Sequence, residues 1–146
     1  MIEIGSGDLL AAEVEALVNA VNTVGVMGKG IALQFKRAFP ANYRAHRAAC
    51  AKGDVRLGQV WVFDEDERCV INFPTKRHWR DKSYLPDVEA GLDSLVAAVR
   101  ERGITSLAIP ALGCGAGGLD WSDVRPLIER ACARMPEVRA LIFAPD

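Results

Sequence analysis

The chain has few of the patterns that define metal centres, disulfide scaffolds or membrane proteins. Its 4 cysteines stand far apart, with no Cys-x-x-Cys pair and no histidine at metal-ligand spacing, which argues against structural zinc and a disulfide framework. The N-terminus, MIEIGSGDLL, lacks the basic and apolar regions of a secretion signal. No apolar run approaches the roughly 20 residues of a membrane span. We therefore expect a cytoplasmic protein that binds neither a metal ion nor a membrane.

Net charge is also small, at -1 for 146 residues. A global positive field that would attract nucleic acid is absent, so any such affinity requires a local patch. One candidate is NFPTKRHWRDKS, residues 72–83, where four basic side chains surround a tryptophan. With 50% hydrophobic residues and no linker or repeat, the chain is expected to form a single domain over residues 1–146.

Short apolar runs alternate with segments of helical period. Strands are predicted at residues 1–5, 15–22, 58–63, 68–73, 106–112 and 139–144. Two helices are predicted from about Gly28 to Pro40 and over residues 41–53. A third is predicted along the apolar stripe Val88, Leu92, Leu95, Val96 and Val99. The fourth is predicted to start after an N-cap at Asp120 or Ser122 and to bury Val124, Leu127, Ile128 and Ala131. The six-residue polar tip DEDERC between two apolar runs predicts a hairpin. These patterns indicate an α/β fold of three α/β/α layers around a mixed, roughly six-stranded sheet.

The first of two glycine-rich turns, NTVGVMGKGIALQF, connects a strand to a helix. Its glycines let the backbone approach a ligand closely, and the following helix N-terminus favours an anion. A turn that merely needs positive φ angles explains the same glycines equally well. The turn is not a Walker A loop, because Lys29 is followed by Gly30 and not by Ser or Thr.

The second turn, IPALGCGAGGLDW, matches G-x-G-x-x-G through Gly113, Gly115 and Gly118. That fingerprint belongs to a leading βαβ unit, whereas only 28 residues follow Gly118 here, which disfavours a Rossmann dinucleotide site. Both turns nevertheless present backbone suited to phosphate. The pair therefore predicts a diphosphate held from two sides.

Four other polar side chains allow more than one interpretation. Asp8 follows the first strand and either caps a helix or accepts a hydrogen bond from an adenine amino group. Asn22 ends a strand and is either a turn residue or a ribose ligand. Cys114 lies between glycines without a nearby histidine and is expected to be a packed side chain, and His46 is expected on a helix surface.

Five strings follow one another along the chain: GD, NAVNTVGVMGKGIALQFKRAFP, LGQVWVF, INFPTKRHWR and IPALGCGAGGLDW. In this order they resemble the macrodomain family over essentially the whole chain. Within that family the sequence is similar to the DNA ADP-ribosyl glycohydrolases that act as antitoxins, which are relatives of the terminal ADP-ribose protein glycohydrolases. The resemblance implies a six-stranded mixed sheet between helices. It also implies that ADP-ribose binds in a cleft at one edge of the sheet.

The resemblance also implies the ligand contacts. Asp8 would contact the adenine, Asn22 and the 25–30 loop the distal ribose, and residues 113–118 the diphosphate, while Phe143 would flank the adenine. The full implied set is Asp8, Leu9, Asn22, Gly25, Val26, Met27, Gly28, Gly30, Ile31, Gly113, Cys114, Gly115, Ala116, Gly117, Gly118, Leu119 and Phe143. No cofactor is implied, since ADP-ribose is the product.

Lys76 matches an essential lysine of this group, and Lys76 and Asn22 are the implied catalytic residues. Taken alone, a lysine after a strand is an ordinary solvated loop residue. Partial burial and the adjacent Arg77 would both lower its pKa, as a nucleophilic or acid/base lysine requires. The protein-directed relative has an acidic residue at the position matching Gly117, so this chain is expected to rely largely on Lys76.

The implied reaction cleaves the bond between the distal ribose C1″ and thymine in ADP-ribosylated single-stranded DNA, reversing the action of a DNA ADP-ribosyltransferase toxin. That toxin is an expected partner, and the chain's end directly after its last strand permits a longer antitoxin. Two alternatives stay open: a module that binds ADP-ribose without cleavage, and a hydrolase of ADP-ribosylated protein side chains.

The basic stretch has its own two interpretations. Arg77, His78, Trp79, Arg80 and Lys82 mix cations with aromatic rings, as single-strand binders do, and are predicted to contact DNA. The alternative is a surface loop with solvated charges whose Trp79 packs under neighbouring helices.

Overall fold

The computed structural model describes residues 1–146 and contains every predicted strand and helix. In chain order the elements are β1 (Ile2–Ile4), β2 (Ala16–Asn22), α1 (Gly30–Ala38), α2 (Pro40–Ala51), β3 (Trp61–Glu65), β4 (Arg68–Lys76), α3 (Leu85–Arg102), β5 (Ser106–Ile109), α4 (Trp121–Ala133) and β6 (Arg139–Ile142). A short 3-10 turn over Leu9–Ala11, which the periodicity did not predict, precedes β2. None of the α-helices combines the length and apolar character needed to cross a bilayer.

The six strands form one sheet in the order β1-β6-β5-β2-β4-β3. All neighbours are parallel except β3 and β4, which pair antiparallel, so the predicted hairpin and mixed sheet are confirmed. The predicted six-residue tip was too long, because both strands continue into the polar stretch. Only Asp66 and Glu67 form the turn, with φ of 50° and 62°. Left-handed backbone at both positions matches the twist of the flanking strands.

Helices cover both faces of the sheet. The larger apolar cluster lies under α3 and α4 and includes the whole predicted stripe of α3. The smaller cluster lies under α1, where Phe35 and Phe39 pack against Leu17 of β2 and Val70 of β4. Since α2 packs against α1 and β3, it shares the second face. The three-layer α/β/α prediction is therefore confirmed.

The first helix starts at Gly30 and not near Gly28, because Lys29 still has extended backbone, with φ of -160°. Between the end of β2 and Gly30, residues 23–29 form a loop outside the sheet. The later helix start leaves this loop, which we call the first loop (residues 23–29), free to line a ligand cleft.

The prediction that His46 lies on a helix surface was wrong. His46 is fully buried beneath α2, with its ring 5.8 Å from that of Trp61 and near the Cys50 thiol. The adjacent buried residue of α2, Asn42, exchanges hydrogen bonds with Asn72 of β4. Because α2 turns a polar face toward the sheet, hydrophobic periodicity could not identify its inner side.

Candidate functional site

A cleft of about 1000 Å³ lies at the carboxyl ends of the central parallel strands. Its walls are the first loop, the loop over residues 113–117, the segment around Asp8, and the residues that follow β6. In open α/β sheets, ligands bind outside the carboxyl ends of the strands. The volume is at the upper end of the range for small-molecule sites, which suits an extended ligand.

Asn22, the last residue of β2, shapes the first loop. Its side-chain oxygen accepts hydrogen bonds from the backbone N–H groups of Val24, Gly25 and Val26, at 3.1, 3.0 and 3.3 Å. Its amide group donates to the Val26 carbonyl at 2.8 Å. The Asn22 oxygen is thus fully committed to the loop, and only its second amide hydrogen remains for a ligand. Of the two interpretations offered by the sequence, the geometry favours the turn residue that also borders the cleft.

The loop over residues 113–117, which we call the second loop, is held by backbone hydrogen bonds from the Leu119 N–H to the Gly113 carbonyl and from the Gly118 N–H to the Gly115 carbonyl. Gly113 has φ of 73°, where a side chain would be strained. Burial, and then Asp120, raises the pKa of the Cys114 thiol. A thiol that stays protonated is a poor nucleophile, so Cys114 is part of the wall, as expected.

Gly117 leaves no room for a side chain. An added Cβ would lie 2.3 Å from the Ser83 hydroxyl oxygen and 2.5 Å from the Gly113 carbonyl oxygen. The Ser83 N–H donates to the Gly117 carbonyl at 3.0 Å, which ties the second loop to the segment after β4. Ser83 is buried, and its hydroxyl has no hydrogen-bond partner. The absence of an acidic residue at position 117 is therefore fixed by packing.

Lys76 reaches the cleft through an irregularity in the sheet. Val21 pairs with Pro74, but the next residue, Asn22, pairs with Lys76, so Thr75 is an extra residue on β4. A bulge of this kind re-aims the side chains beside it. Thr75 and Lys76 both line the cleft, and the Lys76 ammonium donates to the Trp79 carbonyl at 3.1 Å.

Burial lowers the pKa of Lys76, the positive charge of Lys29 lowers it further, and Asp81 partly offsets both. The predicted direction agrees, but the predicted cause was only half right. The relevant cation is Lys29 of the first loop and not the neighbouring Arg77. Lys29 is exposed, lines the same cleft and forms no ion pair with a carboxylate.

The segment Arg77–Lys82, which we call the basic loop, is folded back on itself. The ring Nδ1 of His78 accepts a hydrogen bond from the backbone N–H of Arg80, and the backbone N–H of His78 donates to the Asp81 carboxylate. Trp79 lies between the His78 ring, at 5.0 Å, and the Arg80 guanidinium, at 4.5 Å. Its side chain is 40% exposed and borders the cleft, so the alternative in which Trp79 packs under the helices is wrong.

The opposite end of the cleft combines a carboxylate with an aromatic ring. Asp8 caps the 3-10 turn by accepting from Leu10 N–H at 3.0 Å, and it remains exposed at the cleft wall. Phe143 packs directly over Gly5, where an added Cβ would lie 2.4 Å from the ring. Capping uses one oxygen of Asp8, so both interpretations of this residue are compatible with the structure.

Most of the predicted ligand residues border this one cleft. Those that do are Asp8, Leu9, Asn22, Val26, Gly28, Gly30, Ile31, Gly113, Cys114, Gly115, Ala116, Gly117 and Phe143. The other four do not line it: Met27 is buried beneath the first loop, Gly25 packs on Arg47, and Gly118 and Leu119 follow the second loop. Of the basic loop, only Trp79 borders the cleft. Sequence reasoning missed Gln34 and Thr75 as cleft residues. It included Lys29 only as part of the 25–30 loop and did not name it as a site residue, although it is the one cation inside a glycine-rich loop.

A family model described as Macro domain matches residues 18–128. The chain belongs to the macrodomain family. The solved macrodomain of Mycobacterium tuberculosis DarG is 51% identical, with a TM-score of 0.99 over 100% of this chain and 99% of that one. The Thermus aquaticus DarG macrodomain is 48% identical, with a TM-score of 0.95 over 99% of each chain. A Thermosipho africanus DarTG structure, described as a complex with ADP-ribose, is 36% identical, with a TM-score of 0.93 over 99% of this chain and 41% of that one.

Two curated relatives carry the name DNA ADP-ribosyl glycohydrolase. The protein from Mycobacterium tuberculosis is 51% identical and covers 100% of this macrodomain, and that from Thermus aquaticus is 48% identical and covers 99%. The macrodomain spans 43% and 41% of their respective lengths.

Proposed function

We propose that this macrodomain is a hydrolase that removes ADP-ribose from thymidine in single-stranded DNA. The observation that carries the proposal is the position of Lys76, which combines a lowered pKa with a place on the wall of a cleft shaped for a dinucleotide-like ligand. The names of the relatives that match the whole chain at about half identity support the same activity.

The cleft supplies complementary groups along an ADP-ribose molecule. Phe143 offers an aromatic face and Asp8 an acceptor at one end, while residues 113–117 present backbone toward the middle. The first loop and Lys76 lie at the other end, where the distal ribose would bind. In this order the scissile bond would lie beside Lys76 and Trp79.

In the proposed reaction, the bond from ribose C1″ to the thymine nitrogen breaks, water supplies hydroxyl to C1″, and the nitrogen receives a proton. Positive charge develops on the ribose as the bond breaks. Lys76 has two roles that fit its position. As an ammonium it donates the proton to the departing base. As a neutral amine it attacks C1″ and displaces the thymine nitrogen, which takes up the amine proton; the resulting glycosylamine opens to an imine between Lys76 and the sugar, and water hydrolyses that imine to free ADP-ribose and lysine. In either role Asn22 acts through the loop that it holds.

The alternative of a hydrolase for ADP-ribosylated protein has a specific obstacle in the structure. The protein-directed mechanism implied by the resemblance pairs the lysine with an acidic residue at the position of Gly117. Packing against Ser83 and Gly113 excludes a side chain there. A module that binds without cleavage is the remaining alternative, and a lysine with a lowered pKa in the cleft is unnecessary for binding alone.

The test uses an oligonucleotide that carries ADP-ribose on one thymine, with free ADP-ribose as the measured product. We expect wild-type protein to release it and Lys76→Ala to lose at least about 100-fold in rate, as removal of a positioned acid/base or nucleophilic group does. Calorimetry should show that Lys76→Ala still binds ADP-ribose. Arg130, an exposed cation of α4 on the other face of the sheet, provides the control Arg130→Ala, which should retain full activity.

Two results would contradict the proposal. Normal turnover by Lys76→Ala would remove the catalytic assignment. Faster release from ADP-ribosylated glutamate than from the oligonucleotide would favour the protein-directed alternative. Borohydride treatment during turnover distinguishes the two roles of Lys76, because only attack by the amine leads to an imine that is reduced to a stable adduct.

The proposed partners follow from the substrate. ADP-ribosylated single-stranded DNA would be the substrate, with the basic loop as one contact, since Trp79 and Arg80 stand exposed beside the cleft. The toxin that makes the modification is the second proposed partner. A relative from Thermosipho africanus, 37% identical over 95% of this chain, is named a DNA ADP-ribosyl transferase-DNA ADP-ribosyl glycohydrolase fusion protein, which supports a link between the two activities.

A further inference from the structure

Positive and negative charges are distributed unevenly over this nearly neutral protein. Residues 16–53 contain six cations, Lys29, Lys36, Arg37, Arg44, Arg47 and Lys52, and not one Asp or Glu. The four ion pairs of the structure all lie elsewhere, at Arg102, Arg125, Arg134 and Arg139. The first loop and the two helices after it therefore form a face whose cations lack carboxylate partners.

Part of this face is a second, smaller cavity on the outer side of the first loop. It measures about 230 Å³ and is lined by residues 24–28 together with Lys36, Tyr43 and Arg47. We call it the outer basin. Val26 and Gly28 border both the outer basin and the ADP-ribose cleft, so the two cavities share one wall. The first loop also contacts the basic loop, because Thr23 donates two hydrogen bonds to the Arg77 carbonyl.

The outer basin has the chemistry of a single-strand nucleic-acid contact. Lys36 places its ammonium 4.6 Å from the centre of the Tyr43 ring, and Arg47 packs against Gly25. Val24 and Val26 are 45% and 42% exposed at its rim. Proteins that bind single strands combine cations for the phosphates with apolar and aromatic surfaces for the bases.

We propose that the outer basin holds a nucleotide of the same DNA strand that carries the ADP-ribose, next to the modified thymidine. This inference rests on the proposed function, since the cleft occupied by ADP-ribose fixes where the strand starts. A strand that leaves the cleft beside Trp79 meets the basic loop, the exposed valines of the first loop, and then the outer basin. The first loop and the outer basin contain no carboxylate, and the one carboxylate of the basic loop, Asp81, accepts the backbone N–H of His78, so the route favours a polyanion over a peptide.

The test measures binding of an unmodified, fluorescein-labelled oligothymidylate of about 12 nucleotides, within the range that single-strand sites cover. The variant Lys36→Gln/Arg47→Gln removes two charges while keeping side-chain stems that pack on Tyr43 and Gly25. The matched control, Arg125→Gln/Arg130→Gln, removes two charges from the exposed side of α4, on the opposite face of the sheet. Fluorescence anisotropy over a salt series gives both the Kd and its salt slope.

We expect the outer-basin variant to bind about tenfold more weakly, with a salt slope smaller by about 1.4, because each single-strand phosphate contact contributes about 0.7. The control should match wild type, and both variants should bind free ADP-ribose normally. An unchanged Kd and slope, or an equal loss in the control, would overturn the proposal. So would loss of affinity for the toxin with DNA binding intact. Because the oligonucleotide is unmodified, failure here is distinct from failure of the hydrolase assay.

Discussion

A single methyl group at Gly117 tests how the second loop is built. The Cβ of Gly117→Ala would lie 2.3 Å from the Ser83 hydroxyl oxygen, 2.9 Å from the Ser83 Cβ and 2.5 Å from the Gly113 carbonyl oxygen. Ordinary van der Waals contact begins near 3.4 Å, so these atoms must move apart by about 1 Å. One of them is a backbone oxygen that already accepts the Leu119 N–H, which leaves little freedom to relax.

Insertion of an extra carbon into a packed site costs about 1–3 kcal/mol. For a domain of this size, a loss of about 2 kcal/mol lowers the Tm by roughly 4–8 °C. Urea and thermal denaturation measure the loss. Calorimetry should also show weaker ADP-ribose binding, because the displaced residues line the cleft.

The matched control for Gly117→Ala lies in the same loop. Gly115 is exposed and an added Cβ would meet no atom within 4 Å, so Gly115→Ala should leave the stability within about 0.5 kcal/mol of wild type. The double variant Gly117→Ala/Ser83→Gly removes the two contacts with Ser83 but not the contact with Gly113. It should regain part of the lost stability relative to Gly117→Ala. Equal stability of Gly117→Ala and Gly115→Ala would refute the packing explanation for the missing acidic residue.

Two predictions concern protonation. Burial lowers the pKa of His46 to about 4, so the unfolded state binds the proton first, and stability falls as the pH drops from about 6.5 toward 4. Between pH 8 and pH 5 the free energy of unfolding, measured by urea denaturation, should fall by about 2 kcal/mol. The variant His46→Gln should lack this fall, and His78→Gln should retain it. Loss of the Lys29 charge should raise the pKa of Lys76, though not to its ordinary value, since burial remains. If the neutral amine reacts, the acid limb of the plot of rate against pH should move to higher pH in Lys29→Gln but not in Lys29→Arg. Identical plots for wild type and both variants would exclude an effect of the Lys29 charge on the pKa of Lys76.

The sequence predicted the elements well where their patterns were local and apolar. The stripe of α3 and the buried strand β2 read directly as core, because burial selects apolar side chains at a fixed period. The two glycine-rich turns indicated two walls of the cleft for a similar reason, since glycine is used where the backbone itself approaches a ligand.

What the sequence did not predict depends on contacts between distant residues. His46 was assigned to the surface because its helix has few large apolar residues, and only the tertiary pairing of Asn42 with Asn72 shows that this polar face is the inner one. Lys29 lowers the pKa of Lys76 although the two residues are 47 positions apart in the chain. The sequence analysis assigned this effect to Arg77, the neighbour in sequence. The packing of Ser83 against Gly117 likewise could not be inferred from spacing alone.

These contacts give the site one consistent electrostatic character. An acidic residue in the second loop would stabilise the ammonium form of a nearby lysine, whereas Lys29 and burial stabilise the neutral amine of Lys76. Packing excludes the acid at Gly117, and the first loop supplies the cation on the same cleft wall. Both features raise the fraction of neutral amine at a given pH, which attack on C1″ requires, and they make the remaining ammonium a stronger acid. The lowered pKa therefore suits both roles of Lys76, and borohydride decides between them: a stable adduct assigns attack by the amine, and normal turnover without an adduct assigns proton donation.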